Sequence, residues 1–175
     1  MAGVSSKLPR FCRLRRQIRA RYRTQDVSAP GHDILSGVEA LVKAGIASPQ
    51  RMTIGGYSYG GYMTNWLITQ TTQFKAAVTG AGAVEHVGNW GNDDTTFDDA
   101  FSLGGLIWDP KAKQNYIDEA AIFQIDKVKT LTHIVAGGRD IRVAVAEDYL
   151  LEHALHTLGV PGTLLIFPDE GTLST

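Results

Sequence analysis

The decisive stretch for the fold is residues 52–62, which read Met52-Thr53-Ile54-Gly55-Gly56-Tyr57-Ser58-Tyr59-Gly60-Gly61-Tyr62. A short apolar strand leads into a glycine-rich turn, and the residues after the turn have a helical pattern. The turn matches Gly-x-Ser-x-Gly, the pattern of a nucleophile on a sharp strand-to-helix turn. Such a turn leaves little room for side chains, which explains Gly56, Gly60 and Gly61. Ser58 is therefore a candidate nucleophile, and the alternative is a serine in a structural or phosphate-binding turn.

On both sides of this stretch, helical and strand patterns alternate from about residue 31 onward. We predict short strands at 52–54, 75–79, 132–136 and 163–167. We predict helices at 33–44, after the serine turn, and at 96–103, 116–123 and 145–158. Asp33 is expected to cap the first helix and Gly45 to end it. Strands separated by helices pair in parallel through right-handed crossovers, so the fold class is α/β.

Composition excludes several classes of protein. The 175 residues suffice for one domain of ordinary size, with 43% hydrophobic and 20% charged residues. A single cysteine excludes a disulfide scaffold and a cysteine-rich zinc site. No apolar run approaches the roughly 20 residues needed to cross a bilayer. We expect no metal and no cofactor, no membrane association and no nucleic acid, and the oligomeric state stays open.

Charge is distributed unevenly along the chain. Residues 1–25 carry Lys7 and seven arginines without an acidic residue, although the whole chain has a net charge of −1. We therefore divide the chain into a basic, atypical leader (residues 1–30), disordered or out of frame, and a second part (residues 31–175) in which strand and helix patterns alternate. The leader has three interpretations: an organelle transit peptide, a nucleic-acid-binding arm, or a segment translated out of frame. The chain is expected in the cytoplasm, or in an organelle if the leader is a transit peptide.

The out-of-frame interpretation rests on residues 7–18. With suitable synonymous codons, the shifted frame of these residues reads Asn-Tyr-Arg-Gly-Ser-Ala-Gly-Tyr-Gly-Asp-Lys. We expect a frameshift at or before Lys7 that is compensated between about Gln25 and Pro30. The coding DNA decides between this and the other two interpretations.

An acid follows a later predicted strand, as an α/β-hydrolase triad requires. Asp140 lies after the strand at 132–136 and before a long helix, and its alternative role is a helix cap or a solvated loop acid. Three further segments contribute to a resemblance: Gly137-Gly138-Arg139-Asp140-Ile141-Arg142-Val143, Leu158-Gly159-Val160-Pro161 and Phe167-Pro168-Asp169-Glu170-Gly171. With the serine turn, they make roughly residues 30–171 resemble the catalytic domain of the prolyl oligopeptidase family of serine peptidases.

That resemblance implies a fold, an activity and a set of site residues. The fold is a partial α/β-hydrolase fold, the C-terminal half of a mostly parallel sheet with flanking helices. Ser58 would be the nucleophile, Asp140 would orient the catalytic histidine, and the Tyr59 backbone N–H would be one oxyanion donor. Residues near the pocket for the side chain before the scissile bond would be Tyr59, Phe97, Phe101, Arg142 and Val143. The substrate would be a short peptide, cleaved through a serine acyl-enzyme.

Two parts of the family pattern are missing. Thr172 stands where the catalytic histidine is expected, and a threonine hydroxyl has no usable basicity near neutral pH. The first strands of the fold and the loop with the second oxyanion donor should precede residue 30, but residues 1–30 do not have a strand pattern. For this reason we expect a chain truncated at both ends. We therefore predict an impaired serine peptidase. The alternatives are an esterase or lipase on the same fold, or a non-catalytic pseudoenzyme or interaction module.

Overall fold

The computed structural model describes residues 24–94 and 96–171. Residues 1–23 of the leader and Thr172 lie outside the described residues. The helices are α1 (Ser28–Lys43), α2 (Tyr59–Gln70), α3 (His86–Asn92), α4 (Thr96–Ser102), α5 (Lys113–Asp118), a 3₁₀ helix (Ala121–Lys127) and α6 (Val145–Thr157). The strands are β1 (Thr53–Tyr57), β2 (Ala76–Gly80), β3 (Leu131–Gly137) and β4 (Gly162–Phe167). All four predicted strands are therefore present, with ends shifted by up to three residues.

The described strands form one sheet in the order β1-β2-β3-β4, and every neighbouring pair is parallel. This confirms the predicted α/β class and the mostly parallel sheet with flanking helices. The carboxyl ends of all four strands lie along one side of the sheet, where α/β proteins place their sites. Strand β1 is an edge of the described sheet.

One face of the sheet carries the main core. Ile68 of α2 and Leu151 and Leu155 of α6 pack against Ala77 and Ile134 of the sheet. A second cluster joins α2 to α1 through buried side chains that include Val27, Trp66 and Leu67. These side chains are 2% exposed or less, so their apolar surface is almost entirely removed from water.

The opposite face of the sheet is apolar and half exposed. Side chains that alternate with the core residues point to this face, and each keeps 45–50% of its surface exposed: Tyr57, Val78, Leu131, Leu165 and Phe167. Parallel sheets in folded proteins are normally covered on both faces. The described residues thus form two layers and leave the second sheet face open.

Helix α1 starts earlier than the sequence predicted. It begins at Ser28, and Asp33 lies inside it, so the prediction that Asp33 caps the helix was wrong. The buried Glu119 carboxylate accepts hydrogen bonds of 2.8 Å from the N–H groups of Val27 and Ser28 and fixes the start of the helix instead. Gly45, at φ +72°, ends the helix as predicted.

Residues 24–28, the N-terminal strap, fold with the rest of the chain although the sequence placed them in the leader. Val27 is fully buried in the second cluster, and the Thr24 N–H donates to the Ser102 carbonyl oxygen at 3.0 Å. None of the helices in residues 24–94 and 96–171 combines the length and the apolarity needed to cross a membrane.

Candidate active site

Ser58 occupies a strained turn between β1 and α2. Its backbone has φ 56° and ψ −123°, a conformation that residues other than glycine rarely adopt. Hydrogen bonds on both sides hold it there: the Ser58 N–H donates to the Gly80 carbonyl at 2.8 Å, and the Tyr62 N–H donates to the Ser58 carbonyl at 3.0 Å. Strained residues held in place by their surroundings are concentrated at functional sites. The geometry is that of a nucleophile elbow.

The glycines around Ser58 are required to different degrees. A Cβ on Gly56 would lie 2.2 Å from the Gly60 carbonyl oxygen, and one on Gly61 would lie 2.5 Å from the Gly80 carbonyl oxygen. Both contacts are too short for any side chain, as predicted. A Cβ on Gly60 would meet nothing within 4 Å, so the prediction for Gly60 was wrong. Gly60 instead provides the backbone that Gly56 approaches.

Asp140 follows β3 at the same side of the sheet as Ser58. Its side chain is 9% exposed, and Oδ1 accepts hydrogen bonds from the N–H groups of Arg142 at 2.8 Å and Val143 at 2.9 Å. These bonds fix the carboxylate against its own loop. The acid and the serine therefore lie at the carboxyl ends of β3 and β1, two strands of one parallel sheet separated only by β2.

The last described residues pack against the acid loop. The Arg139 N–H donates to the Glu170 carbonyl at 3.0 Å, and a Cβ built on Gly171 would lie 4.0 Å from the Asp140 Cα. Thr172, the position predicted for the catalytic histidine, is the next residue in the chain. Its own placement lies outside the described residues.

A cleft of about 280 Å³ lies beside Ser58. It is lined by Asp26, Ser58, Tyr59, Tyr62, Ala83, His86, Asn89, Asp93, Asp98, Asp99, Arg142 and Val143. The structure therefore brings Ser58, Tyr59, Arg142 and Val143 together around one cavity. Phe97 and Phe101 are absent from the lining, and their side chains are 70% and 82% exposed.

Two of the predicted pocket residues are held by partners at the cleft wall. The Tyr59 hydroxyl donates to the Asp26 carbonyl oxygen at 2.6 Å, which joins the serine turn to the N-terminal strap. The Arg142 Nε lies 2.6 Å from Asp94 Oδ1, a salt bridge whose two side chains are 48% and 40% exposed. This pairing holds the guanidinium toward Asp94 and ties the acid loop to the loop before α4.

Several lining residues were not predicted as site residues from the sequence. Asp26 fell within the assigned leader, and His86 belongs to none of the motifs in the sequence. Tyr62 belongs to the stretch 52–62, and its closeness to Ser58 in the sequence is the signal that could have predicted it as a residue of the cleft. The acidic run around Asp93, Asp98 and Asp99 gave no motif that would have placed it at the serine.

The ring nitrogens of the buried His86 point to partners other than Ser58. The Tyr62 hydroxyl donates its proton to the Glu119 carbonyl at 2.9 Å and also contacts His86 Nε2, so Nε2 must be the donor in that contact. The other ring nitrogen, Nδ1, lies 3.5 Å from Asp99 Oδ1. Both ring nitrogens of His86 thus lie next to groups other than Ser58.

Two buried carboxyl groups begin α6 next to the acid loop. Burial raises the pKa of Glu147 to about 7, although the N–H groups of Val84 and Glu85 donate to its carboxylate at 3.0 and 3.1 Å and oppose the shift. Burial, and then the negative charge of Asp140, raise the pKa of Asp148 to about 7. Burial also raises the pKa of Asp26, partly offset by His86. With pKa values of about 7, Glu147 and Asp148 are partly protonated near neutral pH.

Metal chemistry has no candidate centre in the described part of the chain. Among residues 24–94 and 96–171, no three His, Cys, Asp or Glu side chains are grouped so that they could hold a metal ion. The cleft offers the serine hydroxyl, the neighbouring carboxylates and the backbone N–H groups at the start of α2.

Comparison with known proteins identifies the architecture. The family model described as "Prolyl oligopeptidase family" matches residues 14–172 and so begins inside the assigned leader. The acylamino-acid-releasing enzyme of Arabidopsis thaliana is 29% identical over 154 residues, which cover 84% of this chain and 20% of that protein.

Solved structures agree with this comparison. The acylaminoacyl peptidase of Pyrococcus horikoshii matches with a TM-score of 0.78 and 27% identity over 87% of this chain and 25% of that one. An acylaminoacyl peptidase in complex with Z-Gly-Gly-Phe-chloromethyl ketone matches equally well, with a TM-score of 0.78, 28% identity and the same coverage. The chain thus spans about a fifth to a quarter of the length of the relatives that it matches.

Proposed function

Because this chain belongs to the prolyl oligopeptidase family, we propose that its cleft binds short peptides and that Ser58 is the nucleophile of a serine peptidase site. The observation that carries the proposal is the Ser58 backbone, held at φ 56° between a parallel strand and a helix. A structural serine would gain nothing from this strain, whereas a nucleophile is lifted above the sheet by it. The complex of a related peptidase with a peptide chloromethyl ketone supports a peptide as the substrate.

In the proposed reaction, Ser58 Oγ attacks the carbonyl carbon of the scissile peptide bond. The hydroxyl proton passes to a base, the Oγ–C bond forms, and the tetrahedral oxyanion is stabilised by the Tyr59 N–H at the start of α2. The C–N bond then breaks, and the base gives the proton to the leaving amine. Water hydrolyses the resulting serine ester and regenerates the hydroxyl. Asp140 would hold the base in the orientation that this proton transfer needs.

We further propose that the reaction is impaired in this chain because Thr172 occupies the position of the base. The support is positional: Gly171 packs on Asp140, and the residue that follows it is a threonine. Loss of the base from such a triad costs several orders of magnitude in rate, about 10⁴ to 10⁶ in well-studied cases. Binding does not depend on the base, so peptide affinity would be retained.

Prolonged exposure to a fluorophosphonate probe, followed by peptide mass mapping, tests the assignment of Ser58. We expect slow modification at Ser58 and none in the Ser58→Ala variant, with Ser102→Ala as a matched control that labels like the original chain. Modification of another serine, or equal modification of the Ser58→Ala variant, would contradict the assignment.

A further inference from the structure

The loop between β2 and α3, residues 81–85, lies directly against the turn that carries Ser58. The Ser58 N–H donates at 2.8 Å to the carbonyl oxygen of Gly80, the residue just before the loop. Backbone also packs on backbone here, since a Cβ on Gly82 would lie 2.6 Å from the Gly61 carbonyl carbon. Because no side chain separates them, a shift of the loop is transmitted to the serine turn.

The same loop packs against the loop that carries Asp140. Ala81 and Ala83 form a buried apolar cluster with Val143 of the acid loop. The Ala81 N–H donates to the Val135 carbonyl oxygen of β3 at 3.0 Å, and the φ of 43° at Ala81 is one that residues other than glycine rarely adopt. Ala83 and Val143 both line the cleft. The loop therefore forms a wall of the cleft between the serine turn and the acid loop.

Asn65 of α2 holds the first half of this loop. Its side chain is fully buried, and Nδ2 donates to the carbonyl oxygens of Gly82 at 2.9 Å and Ala83 at 3.1 Å. The reversed amide would place an acceptor against two carbonyl acceptors, so these bonds determine which way the side chain points. Asn65 belongs to the helix that begins directly after Ser58. One side of the loop is thus tied to the nucleophile's own helix.

Glu147 of α6 holds the second half of the loop. Its side chain is 2% exposed, and Oε2 accepts from the N–H groups of Val84 at 3.0 Å and Glu85 at 3.1 Å. Buried backbone N–H groups are nearly always paired in folded proteins, and this one oxygen pairs both of them. Glu147 lies in the first turn of the helix that follows the acid loop. The other side of the loop is thus tied to the helix next to Asp140.

We propose that Asn65 and Glu147 are positioning residues, which hold the loop 81–85 in place and thereby fix the serine turn against the acid loop. Their bonds reach four consecutive residues of the loop from two different helices, so the loop is clamped from both sides of the site. Neither side chain is among the described residues that line the cleft, so each acts through the loop. This inference rests on the proposed function only in giving Ser58 and Asp140 their roles.

Amide hydrogen exchange of the full 175-residue chain, read by mass spectrometry, tests the clamp without requiring turnover. Glu147→Met removes the acceptor and Asn65→Leu removes the donor, each with little change in side-chain volume. We expect both variants to exchange about tenfold faster in segments 58–62 and 81–85 when exchange in strand β3 is the reference. Glu147→Gln keeps a carbonyl oxygen that can accept both N–H groups and should restore the protection of these segments.

Leu155→Ala is the matched control for a general loss of stability. Leu155 is buried in the main core near the end of α6, beside Gly162 at the start of β4. Its truncation should speed up exchange in β3 as much as in segments 58–62 and 81–85. The second readout is the rate constant of fluorophosphonate labelling at Ser58. We expect Glu147→Met to lower it by about tenfold and Glu147→Gln to recover most of that loss.

The outcomes are separable from those of the proposed function. Unchanged exchange in segments 58–62 and 81–85, equal acceleration in all segments, or a Glu147→Gln variant that behaves like Glu147→Met would each overturn the inference. Labelling of Ser58 at the original rate in a variant whose loop exchanges rapidly would also overturn it. Absence of Ser58 labelling in every protein, the original chain included, would contradict the proposed function, and the exchange rates would still decide the inference.

Discussion

The backbone N–H of Arg139 donates a 3.0 Å hydrogen bond to the carbonyl oxygen of Glu170. This bond joins the loop that carries Asp140 to the segment that follows β4. It is reinforced by close backbone approach, since a Cβ on Gly137 would lie 2.5 Å from the same carbonyl oxygen. The Glu170 carbonyl oxygen is thus held against the acid loop, and residue 172 follows Glu170 by two positions in the chain.

Replacing Ser58 by glycine should stabilise the fold. For a residue with a Cβ, a backbone conformation like that at φ 56° and ψ −123° is unfavourable by about 1–3 kcal/mol, and glycine avoids most of this cost. We expect the free energy of unfolding of Ser58→Gly to exceed that of Ser58→Ala by about 1 kcal/mol, measured by urea denaturation. Equal stabilities of the two variants would show that the turn is not strained.

The buried Glu147 should make stability depend on pH. Its pKa is raised from 4.5 to about 7 in the folded chain, so the folded state binds its proton more tightly than the unfolded state. The stability contributed by this proton is present below about pH 4.5 and is lost as pH rises through about 7. We expect a loss on the order of 2 kcal/mol over this window.

The matched variant for this prediction is Glu147→Gln. Both N–H donors bond to the same carboxylate oxygen, so a glutamine carbonyl can accept both and cannot titrate. Relative to the original chain, Glu147→Gln should gain stability as pH rises from 5 to 8, measured by urea denaturation at each pH. A constant difference between the two proteins over this range would exclude Glu147 as the titrating group.

Glu119 should be essential for the start of α1 and for the N-terminal strap. Its carboxylate is 3% exposed and accepts from the Val27 and Ser28 N–H groups and from the Ser28 hydroxyl. Glu119→Ala would leave buried donors unpaired, which costs about 1–3 kcal/mol for each group. We expect a loss of about 3 kcal/mol in urea denaturation, whereas Glu39→Ala on the exposed side of α1 should cost less than about 0.5 kcal/mol. Similar losses in both variants would contradict this role.

The half-exposed face of the sheet should drive association. Val78 and Leu165 are 49% and 45% exposed on the same face, and an apolar surface of this kind binds other apolar surfaces. We expect the chain to bind the dye ANS and to associate at micromolar concentrations. The double variant Val78→Lys and Leu165→Lys should reduce both effects in dye fluorescence and analytical ultracentrifugation. A monodisperse monomer that does not bind the dye would contradict this expectation.

Much of the fold could be predicted from the sequence because its signals are local. Short apolar strands, the glycine-rich turn at Ser58 and the stop at Gly45 each follow from the geometry of a few neighbouring residues. The start of α1 could not be predicted, because its cap is Glu119, which is 92 residues from Val27 in the chain. The local sequence favours Asp33 as the cap, whereas a tertiary contact with Glu119 determines where α1 begins.

The candidate site divides in the same way. Ser58 and Asp140 follow from motifs and from the order of strands, and their assigned roles remain predictions. The acidic cleft could not be predicted, since Asp26, Asp93 and Asp98 meet only after the strap, α3 and α4 have packed. The family resemblance placed Phe97 and Phe101 near the substrate pocket. Their exposure depends on the orientation of α4, which cannot be predicted from a local sequence pattern.

We propose that Ser58 is a peptidase nucleophile that lacks its base because residue 172 is threonine. The most direct test is the second-order rate constant for fluorophosphonate labelling of Ser58 in the original chain and in Thr172→His. We expect slow labelling of the original chain and an increase of about 100-fold or more in Thr172→His, abolished by adding Ser58→Ala. Rapid labelling of the original chain, or equal rates with threonine and histidine at position 172, would contradict it.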